Sequence, residues 1–214
     1  MKEKGLVGYY NYTVILTYIS VACAAIGTAL AANGHIHAAV ILLLVCGLCD
    51  AFDGSIAGLR KRTPQEMSFG AHIDSLSDLI AFGVLPASIL YGLGLRGWLC
   101  YVAMIIYVLA ALIRLAYFDV QEAFADRAEG EKREDFKGLP VTNAAVIFPS
   151  ILTINLIPRL DAKILYLVFL IITAVLFVVP IRVKKLYLPA LLIPIAIVFA
   201  VAIIFIIFGG VYDA

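Results

Sequence analysis

Apolar residues fill this chain in long blocks, and polar residues gather in the short gaps between them. A helix needs roughly 20 mostly apolar residues to cross the hydrocarbon of a bilayer. Blocks of that length run over about 12 to 32, 36 to 59, 71 to 94, 97 to 119, 139 to 157, 161 to 180 and 187 to 209. The pattern predicts an all-α polytopic membrane bundle of about seven transmembrane helices, forming a single domain over residues 1–214. One connection, Val120 to Gly138, is long and crowded with charge, including Glu122, Asp126, Arg127 and Lys137. It reads as a solvated loop, a helix extension or a lid over the bundle end.

Composition agrees with a lipid environment. Hydrophobic residues make up 64% of the chain and charged ones 14%, with a mean hydropathy of +1.04, more apolar surface than a water-soluble domain can bury. The net charge of +1 gives no reason to expect a nucleic-acid partner. Charge placement is more informative. With the N-terminus inside, 12 Lys and Arg fall in cytoplasmic segments (Lys2 and Lys4, Arg60 to Arg62, the Val120 to Gly138 connection, Arg182 to Lys185), and only Arg96, Arg159 and Lys163 fall outside. The positive-inside rule therefore sets a cytoplasmic N-terminus, an odd number of spans and an outward C-terminus.

The start of the chain also has the outline of a cleavable signal: Lys2 and Lys4, an apolar run, then Ala29-Leu30-Ala31. That run exceeds the roughly 7 to 15 residues of a signal core. It carries Tyr12 and Tyr18, and Asn33-Gly34 makes a tight turn into the next block, so a spanning helix is the preferred reading. Cys23, Cys46, Cys49 and Cys100 lie inside apolar blocks. Cys46 and Cys49 form a C-x-x-C without a second Cys or His pair at zinc spacing, which points to packing rather than redox or metal chemistry.

Ionisable residues inside spans are costly and mark functional sites by default. Asp50 and Asp53 lie near the cytoplasmic end of the second block, and Asp74 and Asp78 near the cytoplasmic start of the third. Separations of three and four residues put each pair on one helix face. The connection Leu59 to Phe69 is short enough to make the two helices antiparallel neighbours, so the four carboxylates converge. Their mutual repulsion in a low dielectric becomes attraction when divalent cations sit between them. An oxygen-only set favours a hard ion, Mg2+ or Mn2+, over zinc, and such a cluster at a membrane face suits a pyrophosphate substrate. The bland alternative is a set of helix-end charges facing water. Gly54 and Gly58, in G-x-x-x-G spacing, leave a bare helix face for close packing or for a nucleotide, and Gly70 removes bulk at the mouth of the third block.

Asp50-Ala-Phe-Asp53-Gly54-Ser-Ile-Ala57 followed by Gly70-Ala-His-Ile-Asp74-Ser-Leu-Ser-Asp78 closely resembles the D-x-x-D-G-x-x-A-R…G-x-x-x-D-x-x-x-D motif of the CDP-alcohol phosphatidyltransferases. Seven of its eight fixed positions are present. Gly58 stands where the family has Arg, and 11 residues separate it from Gly70, two or three more than usual. The family Arg helps hold the nucleotide diphosphate; Arg60 or Arg62 would replace it from the loop. The resemblance implies Asp50, Asp53, Asp74 and Asp78 as ligands of two Mg2+ or Mn2+ ions, with Asp78 also the base toward the acceptor hydroxyl. It places Gly54, Ala57, Gly70, Asp50 and Arg60 around CDP. It further implies a six-helix core, here with one extra C-terminal helix, and a homodimer.

Within that family, three stretches are similar to the branch that makes phosphatidylserine: Asp74 to Ala87, Arg114-Leu-Ala-Tyr-Phe-Asp119 and Phe136-Lys-Gly138-Leu-Pro140. Asp119 replaces the Asn of that branch. Arg114 lies about one and a half turns inside the fourth block, where a guanidinium suits bidentate capture of a phosphate or of the serine carboxylate; snorkelling to the headgroups is the alternative. Gly138 and Pro140 join Arg114 as expected substrate-binding positions. His72 is expected to be a polar loop-edge residue, while His35 and His37 fall at the outer turn. The expected reaction joins CDP-diacylglycerol to L-serine, giving phosphatidylserine and CMP, at the cytoplasmic face of the cell membrane. Its rivals are glycerol 3-phosphate or inositol as acceptor, an intramembrane prenyltransferase, and a cation or proton transporter.

Overall fold

The computed structural model describes residues 8, 9, 14–57, 63–125, 135–153, 161–180 and 182–184. Helix α1 spans Ile15–Ala32 and buries Thr17, Ser20, Ala24, Gly27 and Ala31. These residues recur at intervals of three and four, so one stripe of the helix carries only small side chains. In lipid, helices gain nothing by hiding apolar surface from water, and close backbone approach across small residues is what holds them together. Helix α2, Ile36–Ala57, packs along that stripe. The turn between them uses Gly34 at φ +87°, and the Asn33 side-chain amide donates to the Ala29 carbonyl at 2.9 Å, closing the end of α1.

The third helix departs from the sequence expectation at its start. It begins at Pro64 rather than near residue 71, as α3 (Pro64–Asp78), and continues through a π-helical turn at Leu79–Val84 into α4 (Leu85–Gly92). The early start has a local cause. Thr63 accepts from the Glu66 N–H while the Glu66 carboxylate accepts from the Thr63 N–H at 2.9 Å, a complete capping box with Pro64 at the first helical position. Gly92 ends α4 against the turn of α1: a methyl group there would lie 2.1 Å from the Ala31 carbonyl oxygen.

Helix α5, Trp98–Ala125, carries the chain past the expected end of the fourth block and into the charged connection. One face buries Cys100, Ala103, Tyr107, Ala110, Ala111, Arg114 and Leu115. The opposite face exposes Leu99, Val102, Ile105, Ile106, Leu109 and Ile113, a continuous apolar surface that suits lipid rather than water. Strand β1 (Asp135–Lys137) pairs antiparallel with β2 (Arg182–Lys184), a short ladder beside the helices. A 3-10 turn at Val141–Asn143 leads into α6 (Ala144–Thr153), and α7 spans Ala162–Val178.

Among the described residues, four helices are long and apolar enough to cross a membrane, over Ile15–Ala32, Ile36–Asp53, Pro64–Gly92 and Trp98–Gln121, and Val141–Thr153 and Ala162–Val178 are shorter apolar helices. The expected seventh span, about 187 to 209, lies outside the described residues, as do residues 126–134 of the charged connection. The bundle core joins these helices through aromatic rings. Tyr107 meets Phe148 and Phe177 with centroids 5.6 Å apart in each case, and Phe148 meets Tyr166 at 4.8 Å. At Gly47 of α2, a methyl group would lie 2.6 Å from the Ala145 side chain of α6, so these two helices also approach closely.

Candidate metal and phosphate site

Helices α2 and α3 place their carboxylates together as the spacing requires. Asp50, Asp74 and Asp78 each offer one carboxylate oxygen, and these oxygens all lie within 4.8 Å of one another. All three residues are half-buried. Gly70, Asp74 and Asp78 follow at four-residue intervals along α3 and share a face. Asp53 sits one turn beyond Asp50 on α2 and is outside this trio. Gly54 and Ala57 lie in the last two turns of α2; Gly58, Arg60 and Arg62 lie outside the described residues.

The donor chemistry fits a hard divalent cation. The cluster contains oxygen and neither His nor Cys. Oxygens on opposite sides of a Mg2+-sized ion stand about 4.2 Å apart, a span comparable with the separations within the trio. His72 is set apart from this chemistry. It lies on an exposed face of α3, within the helix rather than at a loop edge. Its Nδ1 is 2.7 Å from the Ser68 carbonyl oxygen, which can only accept and so requires the proton on Nδ1.

Next to the trio, the Ser75 hydroxyl donates to the Asp119 carboxylate at 2.6 Å. This bond ties α3 to the far end of α5 immediately beside Asp74. On the other side of α3, Ser77 is buried and donates to the Thr17 carbonyl of α1 at 3.4 Å. Sequence reasoning noted Asp119 only as a replacement for Asn, and assigned nothing to Ser75 or Ser77. A serine on each side of Leu76 in a helix studded with aspartates was the available signal, because such hydroxyls seek partners when buried.

Arg114 turns inward. It is 7% exposed, and its Nε donates to the Leu139 carbonyl at 3.3 Å. Headgroup snorkelling is therefore not its arrangement. Arg114 and Gly138, both expected at the substrate, lie next to each other. Gly138 has φ +89°, and a methyl group on it would lie 3.3 Å from both Arg114 Nε and the Phe177 carbonyl oxygen. Leu139 N–H donates to the Leu176 carbonyl at 3.3 Å, so the Gly138-Leu139 segment is held between α5 and the end of α7. Pro140 is exposed beside it, at the entry to the 3-10 turn.

A model of the CDP-alcohol phosphatidyltransferase family matches residues 10–212. An archaetidylserine synthase of Methanothermobacter thermautotrophicus is 31% identical over 153 residues, 70% of this chain and 61% of that protein. A CDP-diacylglycerol–serine O-phosphatidyltransferase of Saccharomyces cerevisiae is 38% identical over 101 residues, 46% of this chain and 35% of that protein. One of the same name from Bacillus subtilis is 27% identical over 117 residues, covering 52% and 58%. The chain thus spans less than two thirds of the length of these relatives. With the family model matching nearly the whole sequence and the spaced aspartates of two helices drawn to one point, the chain belongs to the CDP-alcohol phosphatidyltransferase family.

Proposed function

We propose that this protein transfers a phosphatidyl group from CDP-diacylglycerol to the hydroxyl of L-serine, at the cytoplasmic face of the membrane, giving phosphatidylserine and CMP. The observation that carries the reading is the convergence of Asp50, Asp74 and Asp78, with oxygens within 4.8 Å, across two neighbouring helices. Asp53 completes the ligand set from the next turn of α2. Mg2+ or Mn2+ held by these residues, two ions by the family resemblance, would neutralise the pyrophosphate oxygens and the leaving CMP.

The chain's own residues supply the rest. Asp78 takes the seryl proton as the serine oxygen attacks the phosphorus that carries the diacylglycerol. The new P–O bond forms as the bond to CMP breaks, in line with it. By the family resemblance, Gly54, Ala57 and Gly70 would border the CDP group, and Arg60 or Arg62 would take the part of the family Arg that Gly58 replaces. Arg114 orders the Gly138 to Pro140 segment on the acceptor side. Through its Leu139 bond, it acts on that segment rather than as a free clamp.

Serine is favoured as acceptor because the relatives' names agree on it while differing in the lipid, archaetidyl in one and diacylglycerol in the others. The resemblance also supports a homodimer. Purified protein supplied with Mn2+ or Mg2+ and either CDP-diacylglycerol or CDP-archaeol should release CMP with serine, and should release none after chelation. Release with glycerol 3-phosphate or inositol in place of serine would overturn the choice of acceptor, and no release with any acceptor would overturn the reaction.

A further inference from the structure

Directly after Asp78 the third spanning helix leaves α geometry. In the π-helical turn Leu79–Val84, the Leu85 N–H bonds to the Ile80 carbonyl five residues back. Such turns are rare and occur as single insertions within α-helices, so a local cause is to be sought, and two are present. Pro86 has no N–H, which leaves the Phe82 carbonyl, four residues earlier, without its helical donor. The Tyr107 hydroxyl of α5 donates to that same carbonyl at 2.7 Å. Tyr107 is fully buried, with its ring held against Phe148 and Phe177, so its hydroxyl has no room to seek another partner. Tyr166 adds a second bond, to the Pro86 carbonyl at 3.0 Å.

Each residue added to a helical turn rotates the segment before it by about 100° relative to the segment after it. Here the segment after, α4, is fixed by the contact of Gly92 with α1. The segment before carries Asp74 and Asp78. The width of the Leu79–Val84 turn therefore sets which way those carboxylates face.

We propose that Tyr107 is a positioning residue for the carboxylate trio: by holding the Phe82 carbonyl it keeps the Leu79–Val84 turn wide, and so keeps Asp74 and Asp78 aimed at Asp50. Its functional consequence rests on the metal-dependent reading given above; the helix register is a property of the chain alone. Tyr107 itself touches none of the reacting groups.

The test titrates purified protein with Mn2+ alone, following the electron paramagnetic resonance of the free ion. It compares wild type, Asp50→Asn, Tyr107→Phe and the double variant Tyr107→Phe/Pro86→Ala. Pro86→Ala gives the Phe82 carbonyl a backbone donor, so the double variant removes the orphaned group while letting the turn close to α geometry. Tyr107→Phe should weaken Mn2+ binding at least tenfold. The double variant should regain wild-type thermal stability without regaining Mn2+ affinity, and it carries the comparison should the single variant fail to fold. Wild-type Mn2+ affinity in either folded variant overturns the proposal, because the hydroxyl would then serve stability alone.

If wild type binds Mn2+ no better than Asp50→Asn, the metal reading falls, and a measurement without any ion decides the register. With the four native cysteines replaced by alanine, Asp50→Cys and Asp78→Cys should be joined by a short bis-maleimide when Tyr107 is present and escape it when Tyr107→Phe is added. Equal cross-linking overturns the proposal.

Discussion

Asp78 is the residue on which the chemistry and the fold can be separated most cleanly. It lies within 4.8 Å of two other carboxylates, so replacing it with a neutral isostere relieves repulsion in the metal-free protein. Asp78→Asn should therefore leave thermal stability unchanged or slightly raised, while CMP release from CDP-diacylglycerol and serine falls by about 10²- to 10⁴-fold, the usual contribution of a positioned base. Unchanged turnover in that variant would remove Asp78 from the role of base. Gly138 is the opposite case, a residue whose removal harms structure first. At φ +89°, with Arg114 and a backbone oxygen 3.3 Å from where a methyl group would sit, Gly138→Ala should lower stability by about 1–3 kcal/mol. A drop in the detergent-solubilised melting temperature checks it, and wild-type melting would show that the segment yields freely. The aspartates were legible in the sequence because three- and four-residue spacing maps directly onto one helix face. The Ser75–Asp119 and Tyr107–Phe82 bonds were not, since 44 and 25 residues separate the partners and no local periodicity encodes such a pairing.

At the scale of elements, hydropathy located most boundaries of the described helices to within a few residues, and the largest departure is at the start of α3, with smaller ones at the end of α5 and the start of α6. At α3 a window tuned to apolar residues passed over Pro64–Gly70, whose exposed, polar first turns are helical because of their cap rather than their hydrophobicity. The signal was present as Thr63-Pro64-Gln65-Glu66, a capping box with proline at the first position. The π turn has no comparable signature beyond Pro86, and it arises from a tertiary hydrogen bond. The cap leads to its own test. Thr63→Ala removes the side-chain acceptor for the Glu66 N–H and should cost about 0.5–2 kcal/mol. Because the later turns of the helix are held by packing against α1 and α5, that cost should appear as faster amide exchange confined to the first turns of α3, with exchange at Ser77 unchanged. Faster exchange through Asp78 would show instead that the cap supports the carboxylate site itself.

For the whole molecule, the distribution of charge and the placement of the site point to the same end of the bundle. The C-terminal end of α2, the last turns of α3 and the C-terminal part of α5 meet around the carboxylates and the Ser75–Asp119 bond. The Asn33-Gly34 turn and the end of α4 at Gly92 meet at the other end. In sequence Arg60-Lys61-Arg62 lies between α2 and α3, so on the proposed reading the positive-inside rule would put the first end at the cytoplasm, where soluble serine and a released nucleotide would be exchanged. Asn33 and Gln65 are both exposed and mark the two ends. In a background whose four cysteines are alanine, Asn33→Cys should react with a membrane-impermeant maleimide on intact cells, whereas Gln65→Cys should react only after permeabilisation. The reverse pattern would place the carboxylates on the outer face and leave an intracellular acceptor no route to them, so it would count against serine transfer even if the trio binds its ions as expected.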